Sequence, residues 1–274
     1  SSSPGISLKQ EGISYIAAAE LPCVIVNIVR GGPGLGNISG AQSDYFQSTR
    51  GGGHGDYRLI VLAPSSVQEA YNLTMKSFDL ADIYRNPVLL LSDGYLGQMI
   101  EPLEIKQYRK PDNLPKKDWA LTGCKGRKPN VMKTLYLIPP ESLIKHNIHL
   151  QEKYEKIKNE LQLYEETETK DAELIIVAYG IAASVCKGAV LKARKEGIKV
   201  GLLRLITLWP FPEKIISDLA DKAKKFLVVE MSMGQMVDDV RLAVNGKKPV
   251  AFFGKAGGWI PSLDMILEKI KVTL

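Results

Sequence analysis

The sequence CVIVNIVRGGPGLG, at Cys23–Gly36, carries the clearest structural signal in the chain. Its first seven residues are rich in β-branched side chains and almost entirely apolar, which is typical of a strand buried on both faces of a parallel sheet. Arg30 follows that strand, and a glycine-rich loop follows Arg30. Since ligands of open α/β sheets bind at the carboxyl ends of strands, this loop is the first candidate for a site.

The residues downstream of this strand alternate helix and strand signals. Leu59–Leu62 and Val88–Leu91 are two further apolar runs of strand length. Between them, Ser65-Ser66 caps a predicted helix that continues to about Tyr84. Strands separated by helices predict a parallel sheet, so we assign residues 1–100 to a first α/β domain.

This first domain looks incomplete at its N-terminal side. Three short strands make a thin layer, and the chain opens on a helix where a strand is expected. We therefore expect residues upstream of Ser1 to supply at least one further βαβ unit, on the order of 30 residues or more.

Residues 171–274 contain four strand–helix units, which predict a second, doubly wound parallel sheet. The predicted strands are 173–178, 198–203, 226–230 and 249–253. Packing and capping are the favoured roles of the loops that follow, with Trp209 burying apolar area against a neighbouring domain. Arg204 and Gln235 could alternatively face a cofactor or a subunit interface.

Residues 101–170 are predicted to be a linker, because their first half is rich in proline and has little periodicity. Its second half contains apolar residues at helical spacing, which predict an amphipathic helix over residues 150–166. These residues are Leu150, Tyr154, Ile157, Leu161 and Tyr164.

Positive charge is concentrated between residues 104 and 133, a segment that we call the basic arm. Its nine Lys/Arg residues and three acidic residues leave a surplus equal to the net charge of +6 for the whole chain. Two interpretations stay open, a solvated connecting segment and a docking surface for an acidic partner. Nucleic acid is not expected as a partner, because no binding motif accompanies the charge.

The composition excludes several classes of protein. With 274 residues, 45% hydrophobic and 24% charged, the chain is long enough for two compact domains and is not disordered as a whole. No apolar run approaches the ~20 residues that span a bilayer, so no membrane segment is expected. The three cysteines form no CxxC pair, which argues against a disulfide framework, a zinc site or an iron–sulfur cluster held by this chain alone. A reducing cytoplasm fits this cysteine pattern, and three scattered histidines do not indicate metal.

Arg30 and the glycines after it are residue types suited to binding a carboxylate ligand. A guanidinium can bind a carboxylate through two parallel hydrogen bonds, and glycines let a backbone approach a ligand closely. The alternative is a strand-end surface arginine in an ion pair. A dinucleotide site is disfavoured, because Asn37 stands where the GxGxxG pattern starting at Gly32 requires glycine.

A second glycine cluster, Arg50–Asp56, surrounds His54. It predicts either a mobile loop over a site or a surface loop with an incidental histidine.

Together these motifs resemble the thiamine-dependent 2-oxoacid:ferredoxin oxidoreductases, in the subunit that combines a pyrimidine-binding domain with a transketolase-C-like domain. The matching stretches are VRGGP (29–33), GHG (53–55), PVLLLSD (87–93), TLWPFP (207–212) and EMSMGQM (230–236), and they occur in the family's order. Among subtypes, the chain is most similar to the 2-oxoisovalerate enzyme.

The resemblance implies a reaction in which a 2-oxoacid, coenzyme A and oxidised ferredoxin give acyl-CoA, carbon dioxide and reduced ferredoxin. It implies thiamine diphosphate and Mg²⁺ bound mainly by a partner subunit, and 4Fe–4S clusters on partner subunits. The implied partners are a thiamine-diphosphate-binding subunit, ferredoxin-like and gamma-type subunits, and ferredoxin.

The resemblance also assigns site residues. Arg30 matches the family arginine that binds the substrate carboxylate, and Gly32 and Leu35 lie in the same substrate-binding loop. Gly34-Leu35 replaces the Ser-Thr pair of 2-oxoglutarate-type members, which removes hydrogen-bond partners for a second carboxylate and favours a branched aliphatic substrate. His54 matches a family loop position without an assigned role. No catalytic residue is assigned here, since the family's thiamine-activating glutamate and its Tyr-Pro-Ile-Thr-Pro loop correspond to positions upstream of Ser1.

The resulting hypothesis is a subunit of a branched-chain 2-oxoacid:ferredoxin oxidoreductase. The alternatives are a pyruvate-, indolepyruvate- or 2-oxoglutarate-type member of the same family, and a non-catalytic scaffold subunit that organises partners through the basic arm.

Overall fold

The computed structural model describes residues 1–112, 114–137 and 139–274, and its strands form two mixed sheets with helices packed against them. The strands are β1 (Cys23–Val29), β2 (Ile60–Leu62), β3 (Pro87–Asp93), β4 (Tyr164–Thr167), β5 (Leu174–Tyr179), β6 (Val200–Leu205), β7 (Thr207–Trp209), β8 (Lys225–Glu230) and β9 (Val250–Gly254). The helices are α1 (Pro4–Ser7), α2 (Gln10–Ala18), α3 (Tyr45–Arg50), α4 (Val67–Tyr84), α5 (Glu141–Glu160), α6 (Gly180–Lys195), α7 (Glu213–Ala220), α8 (Met236–Val244) and α9 (Leu263–Thr273).

The first sheet has the strand order β1-β3-β2-β7. Strands β1, β3 and β2 run parallel, as the alternation of strands and helices predicts. Every residue of β3 is buried, because α4 covers one face of the sheet and the protein core covers the other. Helix α4 begins where the sequence indicates: the Ser66 side chain accepts a hydrogen bond from the backbone N–H of Glu69 at 3.1 Å.

The second sheet has the strand order β4-β6-β5-β8-β9. Its four parallel strands β5, β6, β8 and β9 correspond to the four predicted strand–helix units. Helices α6 and α9 pack on one face, and alternate residues of the strands pack on the other face in a core shared with the first sheet. The two sheets are therefore joined by one continuous apolar interior.

Each sheet ends in an antiparallel strand that the sequence did not predict. The helix predicted over residues 150–166 occupies Glu141–Glu160 instead, and Tyr164–Thr167 is strand β4, paired with β6. Tyr164 fits the apolar spacing of the helix, but the chain leaves the helix at Leu161, where pairing with the exposed edge of β6 replaces the helical bonds. Strand pairing with a distant segment thus overrides local periodicity.

The second unpredicted strand, β7, belongs to the loop after β6 and pairs with β2 of the first sheet. Trp209 in this strand is 8% exposed and makes an edge-to-face contact with Tyr154 of α5, with ring centroids 5.7 Å apart. Trp209 also lies opposite Val61 of β2 in the strand pairing, so the prediction that Trp209 packs against a neighbouring domain is confirmed.

The basic arm follows a defined course, although its described residues form no helix or strand. The side chain of Gln68 exchanges two hydrogen bonds with the backbone of Glu104, and the Tyr108 hydroxyl donates to Asp79 at 2.7 Å. These contacts attach the arm to α4. They leave both interpretations of its charge open, since most of its lysines and arginines point into solvent.

None of the helices in the described ranges combines the length and the apolar character needed to cross a lipid bilayer.

Candidate functional site

The loop after β1, residues 30–40, which we call the Arg30 loop, closes on itself at the carboxyl edge of the first sheet. Arg30 pairs with Gly40 in an antiparallel bridge, and the Gly31 N–H donates to the Ser39 carbonyl at 2.8 Å. Further inside, the Asn37 N–H donates to the Gly31 carbonyl at 2.9 Å. Gly36 makes this closure possible: its φ is +61°, and a Cβ there would lie 1.7 Å from the Gly31 carbonyl oxygen.

Arg30 retains hydrogen-bond donors that the described part of the chain does not use. Its Nη2 donates to the Leu35 carbonyl at 3.3 Å, within the same loop. Its Nε is buried and has no partner among the described residues. Because a guanidinium has five N–H donors and a buried unpaired donor is costly, Arg30 is suited to bind an anion. No carboxylate in the described ranges lies within ion-pair distance of it, so the alternative of a surface ion pair finds no support within this chain.

The other residues assigned to the loop face outward. The Leu35 side chain is 79% exposed, as is that of Ile38 at 80%. At Gly32 and Gly34 a Cβ would meet no described atom within 4 Å. The structure therefore brings Arg30, Gly32 and Leu35 into one loop whose outer surface is open and apolar.

Asn37 and Tyr95, to which the sequence assigned no structural role, connect the region of this loop to the second domain. The Asn37 side chain donates to the Gly257 carbonyl at 3.1 Å, and the Tyr95 hydroxyl donates to the Gly258 carbonyl. Their partners are more than 160 residues away in the chain. No local pattern could have indicated these contacts.

Asp93, at the end of β3 and in register with the end of β1, holds the turn that follows β3 next to the Arg30 loop. Its Oδ1 accepts hydrogen bonds from the backbone N–H groups of Tyr95 at 2.9 Å and Leu96 at 3.0 Å. Burial raises the pKa of Asp93 above its ordinary value, while these bonds and one from the Ile181 N–H act in the opposite direction.

The loops of the second domain are used for contacts within the chain. Glu230 is fully buried and accepts hydrogen bonds from the Ser232 hydroxyl and from the backbone N–H groups that begin α8. Burial raises the pKa of Glu230, and those hydrogen bonds oppose the rise. The motif at 230–236 is therefore a helix-capping loop.

Arg204 and Gln235 bind the first domain of the same chain, so neither is available to a cofactor. Both terminal nitrogens of Arg204 donate to the carboxylate of Glu69, at 2.7 and 2.9 Å. The Gln235 side chain accepts from the Phe46 N–H at 2.8 Å and donates to the Ser43 carbonyl at 2.6 Å. The sequence identified these residues as polar loop positions but could not supply their partners.

His54 lies in an exposed loop and has no hydrogen-bond partner among the described residues. The loop itself is fixed, because the Gly53 N–H donates to the Tyr57 hydroxyl at 2.9 Å. A Cβ at Gly53 would lie 2.5 Å from the Gln10 carbonyl oxygen, so the loop packs closely on α2. A role for His54 in the site stays a prediction.

Within the described residues, no group of three or more His, Cys, Asp or Glu side chains is arranged to hold a metal ion. Cys186 is fully buried, and burial raises the pKa of its thiol.

Comparison with known proteins identifies both halves of the chain. Residues 1–166 match the family described as pyruvate flavodoxin/ferredoxin oxidoreductase, thiamine diphosphate-binding. Residues 172–266 match pyruvate:ferredoxin oxidoreductase core domain II. The chain belongs to the 2-oxoacid:ferredoxin oxidoreductase family, whose members are oxidoreductases built from subunits.

Individual relatives refine this placement. The chain is 51% identical over 271 residues to the ketoisovalerate oxidoreductase subunit VorB of Methanothermobacter thermautotrophicus, covering 99% of this chain and 76% of the relative. It is 37% identical over 278 residues to the 2-oxoglutarate synthase subunit KorA of Methanocaldococcus jannaschii, covering 94% and 75%. The subunit type recognised from the sequence motifs is thus confirmed, with KorA proteins more distant than VorB.

A solved structure confirms the fold. The 2-oxoglutarate:ferredoxin oxidoreductase from Magnetococcus marinus, with 2-oxoglutarate, coenzyme A and succinyl-CoA bound, superposes with a TM-score of 0.83 at 25% identity. The match covers 99% of this chain and 52% of that chain.

Proposed function

We propose that this chain is the subunit of a branched-chain 2-oxoacid:ferredoxin oxidoreductase in which Arg30 binds the carboxylate of 2-oxoisovalerate. The complete enzyme converts the 2-oxoacid, coenzyme A and oxidised ferredoxin into acyl-CoA, carbon dioxide and reduced ferredoxin. The observation that carries the proposal is the buried Arg30 Nε, which has no partner among the described residues and lies at the carboxyl edge of a parallel sheet.

Arg30 suits the head group of a 2-oxoacid for electrostatic reasons. The guanidinium is permanently charged and can donate two parallel hydrogen bonds to a carboxylate. Its remaining bond to the Leu35 carbonyl restricts the side chain, so less conformational freedom is lost on binding. Fixing the carboxylate also fixes the keto carbon next to it, which is the atom that reacts.

Leu35 supports a branched aliphatic substrate. Its exposed side chain projects from the Arg30 loop, and its own backbone carbonyl accepts the hydrogen bond from Arg30. Covering that side chain with the isopropyl group of 2-oxoisovalerate would remove apolar surface from water. A second carboxylate, as in 2-oxoglutarate, would find no hydroxyl donor at Gly34 or Leu35. The 51% identity to a ketoisovalerate oxidoreductase subunit points to the same substrate.

The site would be completed by a neighbouring subunit. The open space in front of Gly32 and Gly34 lets another surface approach the loop, and the exposed side chains of Leu35 and Ile38 are apolar enough to be covered. We assign thiamine diphosphate and Mg²⁺ mainly to that partner, and 4Fe–4S clusters to ferredoxin-like and gamma-type partner subunits. When bound, thiamine diphosphate supplies the carbon nucleophile that attacks the keto carbon and the electron sink for decarboxylation. The chain's own part is to orient the substrate and exclude water. We place this complex in the cytoplasm.

The test is reconstitution of the complex from this chain and its sibling subunits. We expect kcat/KM to be highest for 2-oxoisovalerate in a panel that also contains pyruvate, indolepyruvate and 2-oxoglutarate. Leu35→Thr should lower kcat/KM for 2-oxoisovalerate roughly 3- to 10-fold, because threonine covers less of the substrate's apolar surface than leucine does. A parent complex that prefers 2-oxoglutarate or pyruvate would overturn the substrate assignment.

The scaffold alternative has a separate control in the same experiment. Since the isolated subunit is expected to be silent in either case, the comparison is between complexes with parent and with Arg30→Ala chains. Normal assembly without activity supports a catalytic subunit, whereas normal assembly with full activity supports a scaffold.

A further inference from the structure

The second domain contacts the Arg30 loop through the turn at Gly257–Gly258, which follows β9. Asn37 makes three hydrogen bonds, two within the loop and one to this turn. Its N–H donates to the Gly31 carbonyl at 2.9 Å, its Oδ1 accepts from the Ser39 N–H at 3.0 Å, and its Nδ2 donates to the Gly257 carbonyl at 3.1 Å. One residue thus joins both ends of the loop to the turn.

Tyr95 makes a second connection to the same turn. Its hydroxyl donates to the Gly258 carbonyl, and its N–H donates to Asp93 at the end of β3. Its ring packs so closely on Gly40 that a Cβ at Gly40 would lie 2.5 Å from Cδ2 of Tyr95. The end of the Arg30 loop is therefore held between Tyr95 and the turn.

Gly258 is required sterically for this approach. Its φ is +95°, and a Cβ at this position would lie 2.4 Å from the Ser39 Cβ. Gly246, in the loop after α8, also has a positive φ of +72°, but a Cβ there would meet no described atom within 4 Å. The two glycines carry similar backbone constraints and differ in whether a neighbour blocks the side chain.

The rest of the Arg30 loop has little to hold it. Gly32 and Gly34 face open space, and Leu35 and Ile38 are exposed. A loop of this composition samples many conformations unless it is fixed from outside. Because a shift of about 1 Å in a substrate-binding group can cost on the order of 100-fold in rate, the fixed contacts of the loop matter for function.

We propose that the Gly257–Gly258 turn of the second domain positions the Arg30 loop for carboxylate binding, with Asn37 and Tyr95 as positioning residues. This inference rests on the proposed role of Arg30. It gives the second domain a part in substrate binding, through the loop that carries Arg30.

The experiment uses the reconstituted complex with Gly258→Ala, Tyr95→Phe and, as the control for backbone strain, Gly246→Ala. We expect Tyr95→Phe, which removes one hydrogen bond, and Gly258→Ala, which displaces the turn, each to lower kcat/KM for the 2-oxoacid roughly 3- to 10-fold. The KM for coenzyme A should stay within about twofold, and Gly246→Ala should behave like the parent. Hydrogen exchange of the amides in residues 31–41 should become faster in Gly258→Ala and Tyr95→Phe only.

Tyr95→Phe keeps the packing against Gly40 and so remains informative should Gly258→Ala fail to assemble. Faster exchange together with the selective fall in kcat/KM supports the inference. Unchanged exchange overturns the inference. Faster exchange with unchanged kcat/KM in these variants also overturns it, provided that Arg30→Lys does lower kcat/KM. In that last case the proposed function stands. If Arg30→Lys is also without effect, the proposed function fails and this inference fails with it.

Discussion

Gln42 and Tyr179 hold each other through two reciprocal hydrogen bonds across the domain boundary. The Gln42 Nε2 donates to the Tyr179 carbonyl at 2.9 Å, and the Tyr179 hydroxyl donates to the Gln42 carbonyl at 3.1 Å. The Gln42 Oε1 also accepts from the Met231 N–H at 2.9 Å. Gln42 is 2% exposed, so these bonds are shielded from water. The carboxyl edges of the two sheets are thus joined by one side chain.

Replacing Gln42 with leucine should destabilise the protein by about 2–6 kcal/mol. The change leaves the Tyr179 carbonyl and the Met231 N–H without side-chain partners in a buried setting, and each such group costs roughly 1–3 kcal/mol. Denaturant unfolding measures the effect. Gln162→Leu, at an exposed position just after α5, is the matched control and should change stability by less than about 0.5 kcal/mol. Equal effects of the two changes would show that Gln42 does not stabilise the junction.

Asp93 predicts a pH dependence of stability. Burial raises its pKa above the ordinary value of 3.8. The folded protein therefore binds this proton more tightly than the unfolded chain does, so the stabilisation is fully present below about pH 4 and is lost as the pH rises through the folded pKa. The free energy of unfolding of the parent, relative to Asp93→Asn, should be smaller at pH 7 than at pH 4.

The control for Asp93 is Gln162→Leu, which removes no titratable group, so its difference from the parent should be the same at the two pH values. If the free energy of unfolding of the parent, relative to Asp93→Asn, is instead larger at pH 7 than at pH 4, the pKa of Asp93 is lowered in the folded protein.

Arg204 should not tolerate lysine. Its guanidinium binds Glu69 with two nitrogens and Glu165 at 2.9 Å, and its side chain is 8% exposed. Lysine keeps the charge but lacks the planar fork, so we expect a decrease of about 1–2 kcal/mol in the free energy of unfolding. Arg241→Lys, in an exposed pair with Asp238, should cost less than about 0.5 kcal/mol. If the two variants are equally stable, the fork geometry contributes nothing.

The basic arm can be tested by charge reversal. The side chains of Lys110, Lys116 and Lys125 are exposed. If the arm docks an acidic partner, the triple glutamate variant should bind its partner subunits or ferredoxin on the order of tenfold more weakly at low salt. The control reverses Lys195, Lys199 and Lys222 in the second domain, with the same change in net charge. Equal binding by the two variants would identify the arm as a solvated connection.

The interior of the fold could be predicted from the sequence because apolar runs report burial directly. The β1 run at Cys23–Val29 and the four parallel strands of the second half lie where their patterns indicate. The edge strands β4 and β7 could not be predicted, because β4 is half-exposed and has a weak pattern, β7 has only three residues, and both are specified by distant partners. The expected unit upstream of Ser1 and the 101–170 linker boundary stay predictions.

The site was predictable to the extent that one short motif contains it. Arg30 and its glycines are contiguous, so strand-end position and residue type were enough to mark them. Asn37, Tyr95 and Gln42 act on groups that lie 137 or more residues away along the chain. Such residues carry no local signal, since their polar atoms acquire partners only when the two sheets pack together.

The central claim, that Arg30 binds the substrate carboxylate, is tested most directly by steady-state kinetics of the reconstituted complex with Arg30→Ala, with the exposed Arg58→Ala as control. We expect kcat/KM for 2-oxoisovalerate to fall on the order of 100-fold or more in Arg30→Ala, because the charge-assisted bidentate interaction is removed. Arg58→Ala should match the parent. A kcat/KM for Arg30→Ala within a few-fold of the parent would contradict the claim.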